Sequence, residues 1–198
     1  MTYSDVKGVA TKASMLGSYP DDRDDNYEGE KSMSYTLEHF AASCHDILKA
    51  DPGPGGRRKV CLLLEQALRD ESFVGTHLGK NTSERTLLYE DPELGFCILA
   101  HVYQGAKDSV PHDHGPSWAI YGQARGETVM SDWSVAQPAS GDTPAKVKRA
   151  RSYTLTPGAA HVYHEGDVHS PRREGPTRLI RIEGTNMEHV KRRPYEAV

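Results

Sequence analysis

Pro111-His112-Asp113-His114-Gly115 sets two imidazoles one residue apart. On an extended strand, side chains at i and i+2 point to the same face, so both rings can enter one barrel interior. Two neutral imidazoles bind a borderline divalent metal but hold it weakly, so a third ligand has to come from elsewhere in the chain. On either side of this segment, short apolar stretches alternate with turn residues. The stretches are Arg85–Glu90, Gly95–Tyr103, Trp118–Arg125, Thr128–Val135, Lys146–Leu155, His161–Tyr163 and Thr177–Glu183. Asp91-Pro92, Gly105, Gly115-Pro116, Ser140-Gly141-Asp142, Pro157-Gly158 and Gly175-Pro176 separate them. Strands at such spacing predict an all-β-dominated sandwich or barrel, expected here as a barrel over residues 85–198.

Upstream the period changes from two to 3.6. Leu37, Phe40, Ala41, Cys44, Ile47 and Leu48 form one helical stripe, capped by Ser34 or Thr36 and stopped at Asp51-Pro52-Gly53-Pro54-Gly55-Gly56. Val60, Cys61, Leu64, Ala67 and Leu68 form a second, from about Arg57 to Asp70. Residues 34–84 are therefore expected as a two-helix cap on the barrel. Residues 1–33, with the run Asp21-Asp22-Arg23-Asp24-Asp25, have too little apolar material to offset ordering entropy and are expected as a flexible acidic arm.

Composition narrows the function classes. With a net charge of -4 over 198 residues, the chain does not present a nucleic-acid or anionic-membrane surface as its main business. No apolar run reaches the ~20 residues of a membrane helix. Cys44, Cys61 and Cys97 are odd in number and widely spaced, which excludes a disulfide scaffold and points to a reducing, cytoplasmic setting. Histidine is in excess: of ten, His101, His112, His114, His161, His164 and His169 lie between residues 101 and 169.

Four residues separate His114 from Ala119, and six more separate Ala119 from Gly126. Downstream, five residues lie between Gly158 and His164, Gly166 follows, and His169 comes after two more. This frame resembles the two motifs of the cupin superfamily, whose fold is a double-stranded β-helix (jelly-roll) barrel. The resemblance implies a metal held by His112, His114 and His169, with Gly126, Gly158 and Gly166 as turn glycines. Ala119 stands where many cupins place a glutamate ligand, His164 replaces a proline and Arg173 an asparagine. Within the superfamily, the chain resembles the cysteine dioxygenase type of thiol dioxygenase. That type also lacks the carboxylate and writes its substrate-binding arginine segment much like Arg85-Thr86-Leu87-Leu88-Tyr89-Glu90-Asp91, 27 residues before His112. The similarity spans about residues 36–184.

The resemblance implies a mononuclear non-haem Fe(II) dioxygenase, with Zn(II), Ni(II) or Mn(II) as other metals and a small chelating substrate and O2 as partners. Arg85 is the expected clamp for a substrate carboxylate, and Tyr103 stands where the family places an aromatic before its first motif. Arg181 and Glu183 replace the histidine and tyrosine of the family's relay. They share a strand face: inside the barrel, Arg181 is expected to pair with Glu183 or to contact a substrate anion as a catalytic residue, and outside it Ile180 and Ile182 would point inward. Tyr121, two residues beyond Ala119, either donates its hydroxyl to a bound ligand or packs as a core aromatic. His161 and His164 are candidates for orienting a ligand, and Trp118 and Trp133 for barrel packing. The alternatives to thiol oxidation are C–C cleavage of a β-diketone-like substrate, non-redox isomerase or hydrolase chemistry, and a small-molecule binding module. A homodimer is the oligomeric expectation.

Overall fold

Leu37, Phe40, Ala41, Cys44 and Leu48 wind onto one face of α1 (Leu37–Ala50) in the computed structural model, which describes residues 35–79 and 83–198. The expected arm over residues 1–33 lies outside the described residues. Thr36 caps α1, its hydroxyl accepting from the His39 amide at 3.2 Å. The second helix, α2 (Pro54–Ala67), starts ahead of the expected Arg57. Pro54 occupies the first helical position, where its missing N–H costs nothing, so it begins the helix instead of breaking it. The expected two-helix cap has a third member, α3 (Glu71–Leu78). Asp70 caps it, accepting from the Ser72 and Phe73 amides, and the Ser72 hydroxyl, then the Tyr35 and Phe73 amides, hold the Asp70 carboxyl down at about 2. Phe73, Val74 and Leu78 are the buried residues that seat it.

Each of the seven expected strands forms. In chain order they are β1 (Thr86–Glu90), β2 (Cys97–Tyr103), β4 (Ala119–Arg125), β5 (Thr128–Gln137), β6 (Ala145–Leu155), β7 (Ala160–Tyr163) and β9 (Thr177–Glu183). Three more join them: β3 (Lys107–Asp108), β8 (Val168–Arg173) and β10 (Tyr195–Ala197). Neither β3 nor β8 shows apolar alternation, and β8 carries Pro171. Both depend on tertiary pairing, β8 lying between β5 and β3. The sheets run β1-β2-β9-β4-β7 and β10-β6-β5-β8-β3, and the chain passes back and forth between them as a double-stranded β-helix. Gly126 makes the tight turn from β4 to β5 at φ 67°, and a Cβ there would stand 2.4 Å from the Pro176 carbonyl oxygen.

The main apolar core lies outside the barrel, between the helices and the first sheet. Phe40, Cys44, Val60, Cys61, Leu64 and Phe73 pack against Ile98, Ala100 and Val102 of β2, Ile120 and Ala124 of β4, and Ile180 and Ile182 of β9. The alternate residues of these strands face the barrel interior and are also buried: His101, Tyr103, Ala119, Tyr121, Arg181 and Glu183 among them. Both positions considered for Arg181 and Ile180 are thus internal, because the helices cover the sheet's other face. Among the described residues no helix is long and apolar enough to cross a membrane.

The cap packs tightly on the barrel at Gly122, where an added Cβ would meet Leu64 Cδ2 at 2.5 Å and Leu68 Cδ1 at 2.8 Å. Gly122→Ala is expected to cost about 1–3 kcal/mol by overpacking, read as a lowered denaturant midpoint with an unchanged slope.

Candidate metal centre

His169 sits on β8 opposite Asp132 of β5. The segment ahead of β4 is not a named strand, yet His112 is extended and exchanges both backbone hydrogen bonds with His169, each 2.9 Å. That two-bond bridge brings motifs 57 residues apart into register and their ring centroids to 4.7 Å. His114 lies before the Gly115 turn, and its ring stacks on His169 with centroids 5.3 Å apart. One nitrogen from each of His112, His114 and His169 falls within 4.8 Å of the others.

The hydrogen bonds indicate which nitrogens these are. His112 Nδ1 donates to the Val110 carbonyl at 2.8 Å and His169 Nδ1 to the Asp167 carbonyl at 3.0 Å. A carbonyl only accepts, so each ring carries its proton on Nδ1 and presents the Nε2 lone pair. His114 Nδ1 is buried without a hydrogen-bond partner, with the Glu183 carboxylate 3.5 Å away. Its Nε2 faces the Tyr121 hydroxyl at 3.0 Å, and the same hydroxyl lies 3.2 Å from His169 Nε2. One phenolic proton cannot satisfy three lone pairs. A divalent cation can, and the carbonyls behind His112 and His169 are acceptors of the kind that orient metal-bound histidines.

Protonation agrees. Burial pushes the His112 imidazole down to about 4, and burial holds His114 and His169 well below the usual histidine range, so all three are neutral donors at neutral pH. Burial raises the Tyr121 hydroxyl, which stays protonated in the metal-free site. Tyr121 faces Arg181 across the β4–β9 pairing, and the guanidinium lies 4.3 Å from its ring centroid. Arg181 reaches Glu183 at 3.4 Å. An arginine, a glutamate and His114 therefore form one buried chain. Glu183 was legible in the sequence as Arg181's partner, whereas its place behind His114 was not.

A cavity of about 640 Å³ opens beside His112, lined by Tyr103, Arg173, Arg181, Arg192 and Tyr195 among others. Tyr195 closes one wall by donating to Asp113 at 2.7 Å, the residue between the two first-motif histidines. Tyr103 lines this cavity. Arg85 is not among its lining residues: its guanidinium is taken up by Asn186 at 2.7 Å and Glu188 at 3.0 Å. His161 packs on the Tyr153 and Tyr163 rings, and His164 lies 3.4 Å from Arg57, so neither joins the three-histidine group. Trp118 belongs to the helix–sheet core, and Trp133 donates to Ser170 at 2.9 Å. Tyr163 stacks on His169 at 3.8 Å and fixes that ring from behind, a contact with no sequence signal of its own.

No protein-family model matches the chain, and neither does any curated protein. Solved structures similar to it include a protein from Bacillus halodurans at 14% identity, covering 63% of this chain and 86% of the other, with a TM-score of 0.45. A second, from Neisseria meningitidis, is 20% identical over 56% of this chain and 94% of its own, with a TM-score of 0.40. A third is a cupin-2 domain containing protein from Shewanella frigidimarina, 14% identical over 59% of this chain and 95% of its own, with a TM-score of 0.39.

The neutral, buried histidines carry a stability signature. Unfolded histidines take up protons near pH 6.5 while the folded ones refuse them down to about pH 4 for His112, so the unfolded state binds more protons across that window. The stability of metal-stripped protein should therefore fall as pH drops from about 6.5 towards 4. The slope should be shallower in His112→Asn, measured by denaturant titration at each pH. An identical slope in the variant contradicts the burial argument.

Proposed function

We propose that this chain is a mononuclear non-haem Fe(II) dioxygenase, oxidising a small metal-chelating, acid-bearing substrate with O2. The observation that carries it is the donor set: three neutral imidazoles, each with a ring nitrogen within 4.8 Å of the others, and no carboxylate among them. Neutral donors leave the charge of a divalent ion uncompensated, which favours an anionic chelating substrate, thiolate or enolate, over water. An iron ion held by His112, His114 and His169 would supply redox chemistry and O2 activation at that point.

The protein's part is orientation and charge. The Val110 and Asp167 carbonyls hold the His112 and His169 rings so that their Nε2 atoms keep facing inward, and the Glu183 carboxylate lies 3.5 Å from His114 Nδ1. The buried Tyr121 hydroxyl is 3.0 Å from His114 Nε2 and directs its proton to where a bound substrate's developing negative charge would lie. Arg181 over its ring favours charge build-up on that oxygen. The cationic cavity draws the substrate anion in. Non-redox use of the same donors is the competing reading, and oxygen consumption separates the two.

Purified protein loaded with Fe(II) under anaerobic conditions should bind about one iron per chain and then consume O2 with carboxylate-bearing thiols more than with β-diketones. His169→Ala should lose most of the iron and the oxygen uptake. If that variant keeps both, His169 is not a ligand. Tyr121→Phe should retain iron while kcat falls by about 10²-fold with little change in KM. An unchanged kcat leaves Tyr121 as a packing residue.

A further inference from the structure

Arg173 ends β8, four residues after His169 and hence on the same face of the strand. It is 2% exposed, yet it lines the cavity that His112 also lines. Its Nε and Nη2 atoms are buried without a hydrogen-bond partner, and among the described residues no carboxylate lies in ion-pair range. The contact that holds it is the Tyr103 ring, 4.2 Å from the guanidinium. The other arginines of this region are engaged differently. Arg181 has Glu183, and Arg85 has Asn186 and Glu188.

A buried guanidinium without a counter-ion destabilises a fold, and a cation–π contact offsets only part of that cost. Burial accordingly lowers its pKa below the usual arginine value. Such a group persists where something absent from the folded chain completes it. The planar fork with free N–H donors matches a carboxylate or a phosphate. Exposed Lys107, Arg192 and Arg193 also line the cavity, against Asp108 as the one lining carboxylate among the described residues, so the entrance concentrates anions.

We propose that Arg173, on its Tyr103 platform, is an anion-binding subsite of this cavity, so that the molecule taken up carries an acidic group separate from the atoms that reach the histidines. The anion site needs no metal. Only its description as a substrate subsite rests on the function proposed above. The ligand class is a small acid, carboxylate or phosphate, with its second polar end towards His112.

Calorimetric titration of the full chain, metal-stripped and iron-loaded, with succinate, inorganic phosphate and uncharged succinamide at fixed ionic strength tests this. Wild type should bind succinate or phosphate but not succinamide, and the tighter of the two anions identifies the acid. Arg173→Met should weaken that binding by about tenfold or more. In the absence of anion, its thermal midpoint should equal or exceed that of the wild type, since an unpaired buried charge has been removed. A purely structural arginine would instead lower the midpoint and leave anion affinity alone. Folded wild type that binds neither anion overturns the proposal without any variant, as does equal affinity in Arg173→Met. Anion binding without iron uptake would refute the metal centre and spare this site. Iron uptake without anion binding would do the reverse.

Discussion

Burial of strands β2, β4 and β9 on both faces is the constraint on which the rest of the structure depends. One face takes Ile98, Ile120, Ile180 and Ile182 into the layer under the helices. The other turns His101, Tyr121, Arg181 and Glu183 into the barrel. Hydrophobic stabilisation is thereby concentrated outside the barrel, and the interior is left free for polar groups that stabilise poorly by themselves. The helical cap is thus what allows a small barrel to hold charge and imidazole at its centre.

Inside, polar groups are arranged in dependent pairs. The His112–His169 backbone bridge fixes two rings, Glu183 backs the third, and Arg181 holds Glu183 while lying over Tyr121. Each link exists because burial makes an unpartnered polar atom costly. The unpartnered nitrogens of Arg173 are therefore informative, since that side chain lines the cavity where an anion would sit.

Much of this was legible before folding. The helical stripes, the seven strands and the histidine spacing follow from local periodicity and turn chemistry, and all of them form. What escaped were features without a local signal. Helix α3 is short and weakly patterned, with only its Asp70 cap to announce it. Strand β8 is polar and contains a proline, so its existence depends on its neighbours. Pro54 read as a stop because a proline that begins a helix and one that ends it look alike in sequence.

The sequence alone determined which residues share a face, because the two-residue and 3.6-residue periods are properties of the backbone. It therefore determined that His112 and His114 travel together and that Arg181 and Glu183 do. Tertiary structure decided what each face meets. Whether Arg181 was internal depended on helices covering the far side of its sheet, and Arg85's partner depended on residues a hundred positions away. Contacts between distant segments carry no periodicity, so only the folded chain could show that the unpaired guanidinium beside the histidines is Arg173.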